Sequence, residues 1–587
     1  MNQYFGWAGR VLKIDLSSKK YEEINPGFTI YKKFIGGRGL AGHYLRPYCH
    51  LSWDSPETPL LFFTGPLTGT SSPSSGIMAV MSISPLTGTV SHTYAGGNFG
   101  TELKLAGWDG IIITGRSETL CGIRINDKNI EFTEAEQMRG RSIPAIFSAL
   151  PADGGGAAAG PAAENGVLFS SIGFTGDYSP GRCGLGLVMH AKGLKFIHVK
   201  GSGSTAVHNS RDLGSARGDI MRLISASPAL TGELGFSEFG TGALYDLICS
   251  RRMLPSDNFR KTVFPSAGNL NAWHYKKRYN PVKTGCSGCH ILCRQISEDG
   301  RAVPEFEAMS HFTALIGNND IDIVMEANKI CSETGMDPVS AASSFACYME
   351  INNLDIRDID LSRLLTDTAY SKGEGNLLKL GSKKIAESLG KPEASISVKG
   401  LELPAYDPRG AYGIALAYAT STRGGCHHQA YPVSHEILRK PAATDRFSFS
   451  GKARINKLAE DLNAVIDSLT VCRFIFIAAT IEEYTKVFNA VTGSGFTGQD
   501  LLIAGERAFY NERMMNGIRG LTFHDDNLPA RFFNEPGSSG DGITLPPVPE
   551  DEFLDARARY YRIRGLNPEG RPLKEKSIEL GIEWTDL

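Results

Sequence analysis

Within eight residues the chain carries three thiols, Cys286-Ser-Gly-Cys289-His-Ile-Leu-Cys293. A C-x2-C-x3-C spacing lets one short loop present three thiolates to a compact centre, and an iron–sulfur cluster then takes its fourth ligand from elsewhere in the chain. The competing reading is zinc, with His290 or a distant cysteine as fourth ligand. Either way, gathering three of the chain's 11 cysteines so tightly points to metal or redox work. The order of spacings is not the C-x3-C-x2-C of radical enzymes, so that chemistry is a poor fit.

Arg423-Gly-Gly-Cys426-His427-His428 follows a helix-compatible run, Ala411 to Thr420. Paired imidazoles in a turn could ligate a metal or polarise a substrate oxygen; the same composition also suits an exposed polar loop. Pro304-Glu305-Phe306-Glu307 sets two carboxylates one strand step apart. On a strand both would point to one face with Phe306 opposite, so spacing alone does not choose a general base between them. Gly37-Arg-Gly39-Leu-Ala-Gly42 is formally G-x-G-x-x-G. Its context is wrong for a dinucleotide site: Tyr31-Lys-Lys-Phe-Ile is a poor buried strand, and no strand ending in an acidic residue follows about 20 positions later. No G-x-x-x-x-G-K-[ST] occurs.

The elements that must position these groups fall into two regimes. Up to about Ser202, short β-rich runs (Arg10-Val-Leu-Lys-Ile-Asp-Leu, Pro59-Leu-Leu-Phe-Phe, Ile77-Met-Ala-Val-Met-Ser-Ile, Gly110-Ile-Ile-Ile-Thr) alternate with Gly, Ser, Thr and Pro turns. Beyond Gly203, apolar residues recur at helical spacing in Asp320 to Cys331, Pro338 to Ile351, Arg454 to Leu469 and Glu482 to Val491. Pro404 and Pro408 break the pattern and mark a domain boundary near Val398 to Pro408, while Asn534 to Pro549 reads as an exposed loop. The expected class is α+β: a β-rich domain over 1–204, a helical domain over 205–405 and a second helical domain over 406–587.

Lys and Arg (61) nearly cancel Asp and Glu (63), which leaves no electrostatic footprint for nucleic acid or an anionic membrane. The longest apolar runs, such as Phe474 to Ala479, are strand-length, and the N-terminus lacks a signal-peptide pattern. A cytoplasmic protein with reduced thiols is the expectation. The 66 glycines fit either many tight turns or a ligand surface that backbone must approach closely.

Taken together, the residues resemble the tungsten-containing aldehyde:ferredoxin oxidoreductase family over nearly the whole chain. The stretches that carry the resemblance include Phe5-Gly-Trp-Ala-Gly-Arg-Val-Leu-Lys-Ile-Asp-Leu, Phe34-Ile-Gly-Gly-Arg-Gly-Leu, Ser84-Pro-Leu-Thr-Gly and Gly96-Gly-Asn-Phe-Gly-Thr-Glu-Leu-Lys-Leu-Ala-Gly-Trp-Asp-Gly. Further along they include Gly181-Arg-Cys-Gly-Leu-Gly-Leu-Val-Met, Glu402-Leu-Pro-Ala-Tyr-Asp-Pro-Arg-Gly, Arg423-Gly-Gly-Cys-His and Asp467-Ser-Leu-Thr-Val-Cys472. The resemblance implies a β base beneath the cofactor and two helical domains that enclose it. It implies one [4Fe-4S] cluster on Cys286, Cys289, Cys293 and Cys472, a catalytic Glu307 and a catalytic His427. A tungsten (or molybdenum) bis-pterin would contact Gly96, Gly181, Arg182, Met336, Asp337, Asp467 and Val471, with Mg2+ on the backbone carbonyls of Tyr94 and Pro180. The implied reaction interconverts aldehydes and carboxylic acids, with electrons passing to a ferredoxin or an iron–sulfur partner subunit; a homo-oligomer is compatible. Where the family often has phosphate-anchoring or pterin-contacting polar residues, this chain has Ile77, Ser179, Ser332 and Gln429, and it lacks the histidine partner that would accompany Glu326 at a dimer metal. Two other functions fit the resemblance: reduction of an aromatic acyl thioester on the same cofactor, and a cluster-carrying electron-transfer subunit whose pterin site has degraded.

Overall fold

Side-chain alternation sorts the N-terminal strands onto two faces. The computed structural model of the chain describes residues 4–538 and 542–583. Strands β1 (Val11–Asp15), β2 (Lys20–Ile24), β3 (Leu60–Phe63), β4 (Met78–Ile83), β5 (Val90–Ala95) and β6 (Gly110–Thr114) form a sheet in the order β2-β1-β6-β3-β4-β5. Within this sheet only β1 and β6 pair in parallel, with Leu12 opposite Ile111 and Ile14 opposite Ile113. A second sheet, β10-β9-β11-β7-β8, is built from β7 (Cys121–Asn126), β8 (Asn129–Glu134), β9 (Gly155–Ala159), β10 (Ile172–Phe174) and β11 (Leu194–Lys200). Leu12, Ile14, Leu60, Phe62, Val80, Ile111 and Ile113 point one way and pack with Ile123, Ile125, Ile172, Ile197 and Val199 of the second sheet. Their neighbours Val11, Leu61, Phe63, Met81 and Ile112 point the other way and join the core of the helical region. A strand with period-two burial on both faces must be sandwiched, which is why these runs read as almost wholly apolar.

The helices that bear on the site are α1 (Gly37–Leu45), α2 (Ala272–Tyr279), α3 (Phe306–His311), α4 (Ile321–Thr334), α5 (Pro338–Asn352), α6 (Tyr412–Thr420), α7 (Lys452–Leu469), α8 (Ile481–Thr492), α9 (Gly498–Ile518) and α10 (Glu550–Arg564). Between α2 and α3 lies a hairpin of β12 (Val282–Thr284) and β13 (Arg294–Ile296). Polar caps set several starts: Asp337 accepts from the N–H groups of Val339 and Ser340 to open α5, and Thr480/Glu483 and Thr497/Asp500 form capping boxes on α8 and α9. The two regimes expected from sequence are thus observed, a sheet-rich N-terminal part followed by a mainly helical remainder.

Three local readings change. Glu305-Phe306-Glu307 is not a strand: Glu305 is the exposed N-cap of α3 and Glu307 lies in its first turn, so the two carboxylates do not share a face. The Phe474 to Ala479 run contains a 3-10 turn, Arg473–Ile477, rather than a strand. Within Asn534 to Pro549, Gly537–Ser538 pairs with Thr544–Leu545, and residues 539–541 lie outside the described residues, as do 1–3.

The formal G-x-G-x-x-G also finds its reason. A Cβ on Gly37 would collide with the Asp467 carbonyl, and one on Gly65 with the Leu469 carbonyl. These glycines let α1 and the β3–β4 loop abut the end of α7, where Thr470 adopts a left-handed conformation (φ 56°) and turns the chain toward Cys472. Gly65 N–H donates to Thr470 Oγ1 at 2.8 Å. Beside this contact, fully buried Arg38 pairs with Glu512 (2.6 Å) and Asp467 (3.3 Å). Removing one partner of such a pair leaves an uncompensated buried charge and costs about 3–5 kcal/mol. Among the described residues no helix is long and apolar enough to cross a membrane.

Candidate active site and metal centre

The β12–β13 hairpin closes a loop that carries Cys286 and Cys289 and returns at Cys293. Ser74 ties this loop to the fourth cysteine: its N–H donates to the Gly288 carbonyl (3.1 Å) and its carbonyl accepts from Cys472 N–H (3.0 Å). Gly96 must be glycine here, because a Cβ would collide with Cys286 Sγ. Donors point at sulfur, namely Gly97 N–H and the Tyr178 hydroxyl at Cys286 and Phe474 N–H at Cys472. Burial pushes Cys286 up, Cys293 well up and Cys472 to about 12, and in each case neighbouring thiolates of the set add to it. Half-buried, mutually repelling thiolates are the donor set that a cationic centre stabilises. Among the described residues no three His, Cys, Asp or Glu side chains gather around one point, so the geometry does not choose between zinc and a cluster.

The first turn of α3 directs Glu307 toward the Arg423–His428 segment. Glu307 Oε2 accepts from Ala405 N–H at 2.8 Å, while Oε1 lies 3.4 Å from His427 Nε2 and has no hydrogen-bond partner. His427 Nδ1 is likewise buried without a partner. Burial lifts the Glu307 carboxyl to about 7 against the opposing Ala405 N–H. Burial, then Arg182 and Arg423, hold His427 well below an ordinary imidazole. Near neutral pH the pair is therefore a neutral imidazole beside a carboxyl poised to give or take a proton. Tyr406 and Tyr431 form a wall, their rings 5.4 and 6.0 Å from His427 and their hydroxyls 3.0 Å apart.

Cys426 anchors the same loop. Its sulfur accepts from Arg423 Nε (3.2 Å) and Nη2 (2.9 Å) and from His428 N–H (3.2 Å). Burial pushes the thiol up, but Arg423 and then Arg182 outweigh it and hold Cys426 below an ordinary thiol.

Some of the residues expected to face a pterin adjoin the cysteines and others the Glu307–His427 pair. Gly96 adjoins Cys286; Tyr94 lies 4.9 Å under the Arg473 guanidinium, next to Cys472; and Arg182 donates to the Gly425 carbonyl at 3.0 Å, two residues before His427. Several side chains are already committed within the protein. Arg182 also donates to the Glu402 carbonyl (2.6 Å) and to Asp337 (3.3 Å), and Asp467 is held by Arg473 and Arg38. Met336 and Val471 are buried, as is Pro180. What stays free is the open space beside Gly181 and the buried, partnerless Tyr94 hydroxyl. These orphaned groups, with the Glu307 and His427 atoms, fit a polar cofactor bound through backbone and a few side chains.

The four departures are locally satisfied or neutral. Gln429 accepts from Arg38 Nη2 at 2.9 Å and its Nε2 meets His92 Nε2 at 3.0 Å, where a lysine would face Arg38 cation to cation. Ser332 bonds Asp177, and Ser179 Oγ donates to the Ile172 carbonyl. Nothing in the structure explains Ile77.

The sequence profile for the N-terminal domain of aldehyde ferredoxin oxidoreductase matches residues 11–201, and the profile for its domains 2 and 3 matches residues 216–582. The chain belongs to the aldehyde ferredoxin oxidoreductase family. It is 35% identical to the tungsten-containing aldehyde ferredoxin oxidoreductase of Pyrococcus furiosus and 34% identical to that of Thermococcus kodakarensis, in each case over 99% of both chains. A WOR-like subunit of an aliphatic sulfonate oxidoreductase from Pyrococcus furiosus is 24% identical over 98% of this chain and 97% of that one. Among solved structures, the active site complex BamBC of benzoyl coenzyme A reductase with 1,5-dienoyl-CoA superposes with a TM-score of 0.82 over 99% of this chain and 98% of that one. At 21% identity that likeness bears on the fold alone. The chain is thus an oxidoreductase of a family with tungsten-containing members.

Within this aldehyde ferredoxin oxidoreductase fold, sequence reasoning missed Arg423, Cys426, Tyr406, Tyr431 and Arg473 as parts of the site. Arg423 and Cys426 stood inside a motif already singled out, and Arg473 directly follows Cys472. The two tyrosines had no local signal, because only the tertiary fold brings them beside His427.

Proposed function

We propose that this family member interconverts aldehydes and carboxylic acids, RCHO + H2O giving RCOOH with two protons and two electrons, the electrons leaving to a ferredoxin-like acceptor. The observation that carries this reading is the buried Glu307–His427 pair with its two partnerless atoms. Cys286, Cys289, Cys293 and Cys472 would hold a [4Fe-4S] cluster; Gly96, Gly181, Arg182, Met336, Asp337, Asp467 and Val471 would hold a tungsten bis-pterin; and the Tyr94 and Pro180 carbonyls would take Mg2+. When bound, the tungsten bis-pterin would supply Lewis acidity and a two-electron sink, and the cluster a one-electron carrier.

Glu307 takes the proton of the water that adds to the carbonyl, for which a carboxyl lifted to about 7 is well matched. His427, neutral at this pH, donates its N–H to the aldehyde oxygen, and Ala405 N–H fixes the carboxylate in place. Tyr406 and Tyr431 orient the substrate and exclude bulk water. Burial of this pair in one site favours catalysis over a purely electron-transferring subunit, in which a desolvated acid would serve no purpose.

The sign of the pH dependence follows from the lifted carboxyl. Glu307 is protonated below about pH 7 and ionised above it, and only the ionised form accepts a proton. Aldehyde-dependent reduction of a viologen dye should therefore rise about tenfold per pH unit below 7 and level off above it. His427 adds no limb there, since it stays neutral. A profile that is flat or falls from pH 6 to 8 in an active preparation would rule out Glu307 as the base.

A further inference from the structure

Arg423 is fully buried, and a buried guanidinium needs a negative partner. Among the described residues no Asp or Glu oxygen lies within ion-pair distance of it. Nη1 donates to the His92 carbonyl on β5, and Nε and Nη2 both donate to Cys426 Sγ, at 3.2 and 2.9 Å. Two glycines make this return of the chain possible. Gly424 is left-handed (φ 107°) and a Cβ on it would collide with the Val398 carbonyl, as one on Gly425 would with the Leu401 carbonyl.

The sulfur only receives. Its third donor is His428 N–H at 3.2 Å, and among the described residues no acceptor for a thiol proton lies within reach of it. Burial opposes ionisation of Cys426, and Arg423 and then Arg182 outweigh it. At Cys183, the other thiol in this cluster, burial prevails over the same two arginines. Cys426 and His428 flank His427, so the N–H···S contact closes a turn around the residue whose Nε2 faces Glu307 Oε1 at 3.4 Å. An aspartate closes the same kind of turn when its side chain accepts from the N–H two residues ahead.

We propose that Cys426 is a thiolate, the counter-ion of Arg423, and the residue that positions His427 against Glu307. The proposal deepens the function above and rests on it for the role of His427. Through Arg423 the sulfur ties the turn to β5 of the N-terminal sheet, and through His428 N–H it fixes the backbone on the far side of the imidazole. A neutral side chain of similar size would leave a buried cation without an anion and loosen the turn, whereas another anion that accepts from both donors would preserve it.

The test compares Cys426→Ser and Cys426→Asp in the metal-loaded protein. Serine is close to cysteine in size but neutral; aspartate is ionised near neutral pH and can accept from Arg423 and from His428 N–H. Cys426→Ser should lower kcat for aldehyde-dependent viologen reduction about 10²-fold, the cost of misplacing a reacting group by roughly 1 Å, with KM within about threefold of the parent. Cys426→Asp should recover kcat to within about tenfold of the parent, because it restores the charge pair. In infrared difference spectra near neutral pH, parent minus either variant, no S–H stretching band should be lost, since no thiol proton is removed. A lost S–H band would overturn the proposal, as would serine turnover equal to or above that of aspartate, because a role in packing alone favours serine. If one variant fails to fold or to load metal, the S–H region of the other decides the charge state. If the parent shows no aldehyde-dependent viologen reduction, the proposed function fails, and the thiolate still stands or falls on the S–H band.

Discussion

Glu307→Gln should lower aldehyde-dependent turnover by about 10²- to 10⁴-fold, the range that a positioned general base contributes. The amide is nearly isosteric with the carboxyl, and its oxygen can still accept from Ala405 N–H, so the first turn of α3 should keep its place. Burial disfavours the carboxylate at this position, as its upward shift to about 7 records, so the neutral amide should leave the fold at least as stable near neutral pH. Metal and pterin content should therefore match the parent, and the residual rate should lose the rise below pH 7. A variant that retains near-parental turnover would show that proton transfer runs through another group.

The second large effect is expected at Cys472. Its backbone N–H, just beyond the end of α7, donates to the Ser74 carbonyl, and its thiol interacts with those of Cys286, Cys289 and Cys293 from a different part of the chain. Cys472→Ser replaces the thiolate with a hydroxyl that does not ionise near neutral pH, so a four-thiolate centre loses a ligand. Iron should fall well below about four per chain, and turnover with any external acceptor should drop by at least about 10²-fold, because the route out for electrons is broken. Cys249→Ser, at a half-buried thiol on another helix, serves as control and should change neither. Equal iron loss in both variants would mean that the cluster depends on general thiol content rather than on Cys472.

Much of this was legible in the sequence because the signals were local. The three-thiol loop, the runs that became β1, β3, β4 and β6, and the helical periods of α4, α5, α7 and α8 each depend on spacing within one segment. The misreadings arose where tertiary context decides. Glu305 and Glu307 look alike in a four-residue window, yet helix α3 leaves one at the solvent-exposed cap and turns the other into a desolvated pocket. Gly37 and Gly39 mimic a nucleotide loop, but their lack of side chains serves the packing of α1 on α7. Arg182 illustrates the converse: its charge was readable, whereas its commitment to two backbone carbonyls was not. The hydroxyl pair of Tyr406 and Tyr431 and the Arg423–Cys426 contact depend on loops that meet only after folding.

The central claim is that one chain holds both a tungsten bis-pterin and an iron–sulfur cluster and uses them on aldehydes. An anaerobic preparation assayed for tungsten, molybdenum, iron and zinc, and for aldehyde-dependent reduction of a viologen dye, tests it most directly. The account predicts about four irons per chain, a stoichiometric amount of tungsten and a rate that rises with added aldehyde. Iron without tungsten, molybdenum or pterin, and with no response to aldehydes, would contradict it.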